Sequence, residues 1–169
     1  MQKIITILRH AKAETASAHQ DDHERGLTAR GMENAGAMGK YMVAQGIAPD
    51  RILSSTARRC RETAAVALGG RNIEYTDKLY LASANETLRL IEQTPETVHS
   101  LMLIGHNPGL HQLCLHLAVA GDHALLDGLA AAFPTCALAT IIFNSPGWRA
   151  IGHARGRLAG FMVPKMLEY

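Results

Sequence analysis

Lys3-Ile4-Ile5-Thr6-Ile7-Leu8, followed at once by Arg9-His10, decides the fold class of this chain. The run is short, β-branched and almost wholly apolar, which fits a strand covered on both faces, as in a parallel sheet. Ser100-Leu101-Met102-Leu103-Ile104 repeats the pattern. Between the two lie segments of helical spacing. Thr28 is placed to cap a helix to about Gln45, with Met32, Ala35, Met38, Met42 and Val43 at helical intervals and Gly46 as its stop. Ile52-Leu53 ends a second strand, and Ser54, Ser55 or Thr56 can cap a helix over about Ala57 to Leu68. Ile73 to Tyr75 reads as a short strand and about Asn85 to Glu92 as a helix. Asn107-Pro108 reads as a cap and first helical residue, opening a helix to about Val119. Leu138 to Phe143 reads as a strand, with Trp148 to His153 as its hairpin partner after Asn144-Ser145-Pro146-Gly147. Phe161 to Tyr169 is ambiguous. Strands alternating with helices predict a single α/β domain over residues 1–169. Its expected form is a three-layer sandwich: a mostly parallel central sheet, helices on both faces and an antiparallel edge strand.

Composition narrows the function classes. Hydrophobic residues make up 47% and charged residues 19% of the 169 positions, too apolar for intrinsic disorder. A net charge of +2 gives no general pull toward nucleic acid or anionic lipid, so any anion preference must come from local clustering. Cys60, Cys114 and Cys136 are far apart and odd in number, which argues against a disulfide framework and a structural zinc site. The N-terminal apolar run is too short for an export signal, and Leu125 to Leu138 is broken by Asp127, Gly128 and Pro134, so no membrane span is expected. A cytoplasmic location is the expectation.

In an open α/β sheet, ligands bind beyond the carboxyl ends of the strands. Arg9-His10 follows the first strand. Ser54-Ser55 follows the second and leads into Arg58, Arg59 and Arg61 on the next helix. Gly105-His106-Asn107-Pro108-Gly109 follows the Ser100–Ile104 strand. Each has a plain structural reading as surface, solvated helix face or turn. If the strands are neighbours, the three exits form one cationic pocket open to helix N-termini, suited to phosphate. A histidine there can attack phosphorus.

These residues resemble the histidine phosphatase superfamily, with its phosphoglycerate mutase-like fold, and most closely its short SixA-like phosphohistidine phosphatase branch. Leu8-Arg9-His10-Ala11-Lys12 is similar to the RHG-type motif in its RHA form. Arg25-Gly26-Leu27-Thr28-Ala29-Arg30-Gly31 resembles R-P-L-T-x-x-G. Ser54-Ser55-Thr56-Ala57-Arg58-Arg59-Cys60-Arg61-Glu62-Thr63 resembles S-S-P-A-x-R-A-x-Q-T. Ile104-Gly105-His106-Asn107-Pro108-Gly109 resembles the second-histidine motif, and Gly160-Phe161 to Pro164 the branch's ending. Gly26 and Thr56 stand where proline is usual, Cys60 for alanine and Glu62 for glutamine.

The resemblance implies His10 as the nucleophile that becomes phosphorylated. It implies Arg9, Arg59 and His106 as phosphate-binding catalytic partners, with Arg25 as a further phosphate contact. Arg59 rather than Arg58 or Arg61 falls on the family's arginine, four residues after Ser55 and four before Thr63. Guanidinium groups nearby would keep His10 unprotonated, and bound phosphate dianion would push the other way. No metal or other cofactor is expected. The rival metal reading uses His19 and His23 with Asp21 or Asp22, and lacks an indicated third ligand. His111 and His116 read as ordinary helix residues.

The ester-hydrolase branches carry a glutamate-rich motif after the third strand. Here Asp77 to Glu86 lacks it, leaving Glu86 as the one candidate general acid late in that loop. An alkoxide needs a proton donor to leave, whereas protonated imidazole does not. The expected substrate is therefore protein phosphohistidine or another accessible phosphoryl group, with a phosphoprotein as partner. A small phosphomonoester is the alternative within the family, and a non-catalytic phosphate-binding module the alternative of another class.

Overall fold

Seven strands share one sheet in the computed structural model, which describes residues 1–167. The elements in chain order are β1 (Gln2–Arg9), α1 (Ala29–Ala44), β2 (Arg51–Ser55), α2 (Arg58–Ala67), β3 (Glu74–Thr76) and α3 (Ala84–Glu92). They continue with β4 (Ser100–Gly105), α4 (Gly109–Leu117), β5 (Ala118–Gly121), α5 (His123–Ala131), β6 (Leu138–Asn144) and β7 (Gly156–Met162). Across the sheet the order is β3-β2-β4-β1-β6-β7-β5. β1 to β4 run parallel, β6 opposes both β1 and β7, and β5 is parallel to β7. The sheet is thus mostly parallel, as the apolar runs predict. Its antiparallel strand is internal rather than at an edge, because β7 and β5 extend the sheet beyond β6.

Side chains alternate between two buried faces. Ile5, Ile7, Leu101, Leu103, Ile141 and Phe143 pack under Ile91, Leu113, Leu129 and Trp148. Leu8, Ile52, Met102 and Ile104 pack under Ala35, Met38 and Met42 of α1 and Cys60 and Ala64 of α2. Burying one such isoleucine contributes roughly 1.5–3 kcal/mol. Helices on both faces explain why β1 and β4 read as continuous apolar runs instead of alternating ones.

The local expectations fare unevenly. Thr28 caps α1, its Oγ1 accepting from Gly31 N at 2.9 Å. A Cβ on Gly31 would sit 2.2 Å from the Lys12 carbonyl oxygen, so glycine lets α1 approach the loop that follows β1. None of Ser54, Ser55 and Thr56 is the cap of α2; Ala57 occupies that position without a side-chain bond. The Ser55 hydroxyl instead accepts from Ala57 N at 3.2 Å in the turn ahead of the helix, and Thr56 Oγ1 donates to Asp77. Pro108 sits at the cap position of α4, after a cis Asn107-Pro108 bond, and Asn107 Oδ1 accepts from His111 N at 3.3 Å.

Trp148 to His153 is not a strand but a 3₁₀ segment. The Ser145 hydroxyl donates to the Gly147 carbonyl at 2.8 Å and turns the chain off the sheet. The Trp148 indole N–H then donates to Val98 O at 2.8 Å, with the ring buried beside Lys3 Nζ, 5.1 Å from its centroid. β7 takes the expected place beside β6. α4 stops at Leu117, and the residues after it form β5. α5 opens on Asp122, whose Oδ1 accepts from Ala124 N at 2.8 Å. The ambiguous tail completes β7 and then forms a 3₁₀ turn over Pro164–Leu167; residues 168–169 of it lie outside the described residues. Among the described residues no helix is long and apolar enough to cross a membrane.

Candidate functional site

β2, β4 and β1 are adjacent and parallel, so their carboxyl ends open side by side. The chain leaves them at Ser55, Gly105 and Arg9, which brings the three expected strand exits together. His10 and His106 face each other there with ring centroids 5.3 Å apart. Both are nearly buried, at 7% and 3% exposure.

Hydrogen-bond partners assign the protons. His10 Nδ1 lies 2.7 Å from the Ala11 carbonyl oxygen, so Nδ1 carries the proton and Nε2 keeps its lone pair. Arg59 Nη2 lies 3.2 Å from His106 Nδ1 and can only donate, so that nitrogen accepts. His106 Nε2–H then donates to Ser55 Oγ at 2.8 Å. The hydroxyl of Thr63 ties the two halves of the site together. It accepts from Ala11 N at 2.9 Å and donates to Arg59 O at 2.7 Å, joining the exit of β1 to α2.

Burial lowers the His10 pKa to about 4; the Ala11 carbonyl opposes the shift, and Arg59, Arg9 and Arg25 add to it. Burial is also the main cause for His106, pushed down to about 3, followed by His10 and Arg59. The expected arginine effect on His10 is present but comes second to desolvation. Both imidazoles are therefore neutral at pH 7. An imidazole NMR titration of the free protein is expected to place the His10 midpoint near 4, and one near 6.5 would contradict the buried neutral state. The unfolded imidazoles take up protons near pH 6.5 and the folded ones only near 4 and 3. The unfolded state thus binds more protons in that window, and stability falls as the pH drops through it.

The arginines separate clearly. Arg59 is 2% exposed, whereas Arg58 pairs with Glu62 at 2.7 Å and Arg61 lies 3.9 Å from Glu24, both at the surface. This matches the different directions expected of neighbours on one helix turn. Arg9 Nη1 donates to Phe133 O at 3.2 Å. The Nε–H groups of Arg9 and Arg59 are buried and meet no acceptor among the described residues. Buried cationic donors in that condition suit an anion. Arg25 stands farther out, bound to Asp22 Oδ1 and the Glu14 carbonyl, yet close enough to act on His10 electrostatically.

Glu86, the candidate acid, has a structural task. It completes a capping box at the start of α3: its N–H donates to Ser83 Oγ at 3.1 Å and its carboxylate accepts from Ser83 N at 3.4 Å. The carboxylate that does border the site is Asp22. It meets Arg59, Arg25 and the Tyr80 hydroxyl, and Tyr80 above all, then Arg25 and Arg59, hold its carboxyl well below the usual range. The sequence marks Asp22 only as a metal partner and Ser55 as a cap candidate and motif residue at a strand exit, with no partner for its hydroxyl, and nothing marks Tyr80. His23 faces Thr56 Oγ1 at 2.9 Å and Glu24 at 3.2 Å, and His19 N–H donates to Ser17 Oγ. Among the described residues no group of three or more His, Cys, Asp or Glu side chains could hold a metal ion. His111 and His116 contact the carbonyls of Leu129 and Gly152 as ordinary helix residues.

The chain is similar to known proteins in sequence and in fold. Residues 5–83 match the histidine phosphatase superfamily (branch 1). An uncharacterised protein of Mycobacterium tuberculosis is 32% identical over 163 residues, spanning 94% of this chain and 100% of that protein. The crystal structure of a candidate phosphohistidine phosphatase SixA from Agrobacterium tumefaciens superposes with a TM-score of 0.78 at 35% identity, covering 96% of this chain and 98% of that one. A candidate phosphohistidine phosphatase SixA from Nakamurella multipartitia shares the fold, with a TM-score of 0.86 at 24% identity over 97% of both chains.

Proposed function

Since the chain belongs to the histidine phosphatase superfamily, we propose that it is a phosphatase working through a phosphohistidine on His10. The observation that carries this is a neutral His10 with Nε2 free, its ring centroid 5.3 Å from that of His106, beside two arginines whose buried Nε–H groups are unpaired among the described residues. In the first step the Nε2 lone pair forms a bond to phosphorus as the bond to the leaving group breaks. In the second, water attacks the phosphohistidine, His10 recovers its lone pair and inorganic phosphate departs. Arg9 and Arg59 offset charge on the equatorial oxygens, the larger part of phosphoryl-transfer catalysis. His106 holds the Arg59 guanidinium in place for that task, its Nδ1 accepting from Arg59 Nη2 at 3.2 Å while its Nε2–H is anchored on Ser55.

The acids near the site support the substrate class. Asp22 is held ionised, Glu86 caps α3, and the Tyr80 phenol has its pKa raised by burial and by Asp22. The Tyr80 hydroxyl is engaged with Asp22 and the Glu86 carboxylate with Ser83 N, so none of the three is free to protonate an alkoxide. A leaving group that departs without help fits better, as protonated imidazole does, which favours phosphohistidine on a protein partner. The name of the Agrobacterium tumefaciens neighbour supports the same choice. Three buried free thiols fit a reducing compartment, the cytoplasm.

The test is to assay purified protein against a phosphohistidine-bearing protein and a panel of phosphomonoesters, before and after exhaustive chelation. The phosphohistidine substrate is expected to give a kcat/KM at least about tenfold above any ester, since only the ester pays for the missing acid. Preference for an ester would replace the substrate class, and no turnover at all would leave a phosphate-binding module. Activity is expected to survive chelation. Loss restored by one divalent metal would return weight to His19 and His23.

A further inference from the structure

Arg59 reaches the site from α2 on a long side chain, yet its guanidinium is gripped from several directions. Nη1 donates to the Asp22 main-chain oxygen at 2.8 Å and Nη2 to Asp22 Oδ2 at 3.1 Å. The Tyr80 hydroxyl donates to the same Oδ2 at 2.5 Å, and the Tyr80 ring lies 6.0 Å from the guanidinium carbon. Asp22 Oδ1 takes Arg25 Nε at 2.9 Å, and Arg25 is itself anchored on the Glu14 carbonyl at 2.7 Å. Each carboxylate oxygen therefore has its own cation, and the loop between β1 and α1 is tied to the helix that carries Arg59. The remaining Nη2 contact is His106 Nδ1.

We propose that Asp22 is the positioning residue of Arg59, fixing the guanidinium plane against His106 for phosphoryl transfer, with Tyr80 orienting the Asp22 carboxylate. This rests on the phosphatase reading above. Asp22 also sets one negative charge between Arg25 and Arg59. Removing that charge loosens Arg59 without removing any cation, so transfer and phosphate binding should respond in different directions. Damage to the site as a whole would weaken both.

The experiment compares wild type, Asp22→Asn and Tyr80→Phe for kcat and for inhibition by inorganic phosphate. Asp22→Asn is expected to lower kcat about tenfold or more, because small misplacements of a positioned group are costly. Its affinity for inorganic phosphate should stay equal or rise. Tyr80→Phe should show a smaller fall in kcat. In an Arg59→Lys background, Asp22→Asn should change kcat by less than about twofold, since coupled residues are not additive. Wild-type kcat in Asp22→Asn would overturn the inference, as would parallel losses of kcat and phosphate affinity or an undiminished cost in Arg59→Lys. Absence of turnover in the wild-type protein would instead overturn the phosphatase reading on which the inference rests.

Discussion

Replacing His10 with alanine is expected to abolish turnover while the protein stays folded. The ring sits at the exit of β1 with Nδ1–H held by the Ala11 carbonyl, which leaves Nε2 as the free nucleophilic nitrogen. His106 cannot take over that task, because its Nδ1 accepts from Arg59 and its Nε2 donates to Ser55. Cys60 is no substitute either: burial pushes its thiol up to about 12, so it carries no thiolate at neutral pH. A loss of ~10⁴-fold or more, about 5.5 kcal/mol in barrier, is the expected scale for deleting a nucleophile with no replacement. The circular dichroism spectrum and a cooperative urea transition should persist, because the ring lies at a strand end outside both apolar clusters. Full activity in the variant would remove His10 from the mechanism.

Arg59→Lys is expected to lose roughly a hundredfold in kcat/KM, about 3 kcal/mol, the scale of one transition-state donor contact. The planar guanidinium makes its two bonds to Asp22 and one to His106 simultaneously, and an ammonium lacks that fork. Arg58→Lys and Arg61→Lys are expected to stay within about twofold of wild type, because exposed ion pairs with Glu62 and Glu24 are worth little. A crippled Arg58→Lys or Arg61→Lys beside an active Arg59→Lys would move the phosphate contact to another face of α2.

The parts of the fold legible in the sequence are those where one physical signal dominates. β1 and β4 are apolar because they are covered on both faces, and α1 is periodic because one stripe packs on the sheet. The strand exits could be read because parallel topology puts chain ends and chemistry on one edge. The right-hand part of the sheet was hidden for equally physical reasons. β5 is four residues long and continues directly from α4, so the helical pattern runs into it without a break. Trp148 to His153 has strand-like apolar content, but its tryptophan is held by the Val98 carbonyl instead of a strand ladder. In the site, the motif residues stood out while their supports did not. Asp22 and Tyr80 are 58 positions apart and meet only through tertiary structure. Ser55 sits where a helix cap would, and only the location of His106 reveals its other partner.

The most direct test of His10 as the nucleophile is to quench the protein during turnover and locate acid-labile phosphate by mass spectrometry under neutral or alkaline handling. The phosphate is expected on His10, absent from His10→Ala, and discharged to inorganic phosphate when the quench is delayed. Phosphate on any other residue, or wild-type turnover with no covalent phosphoprotein formed, would contradict it.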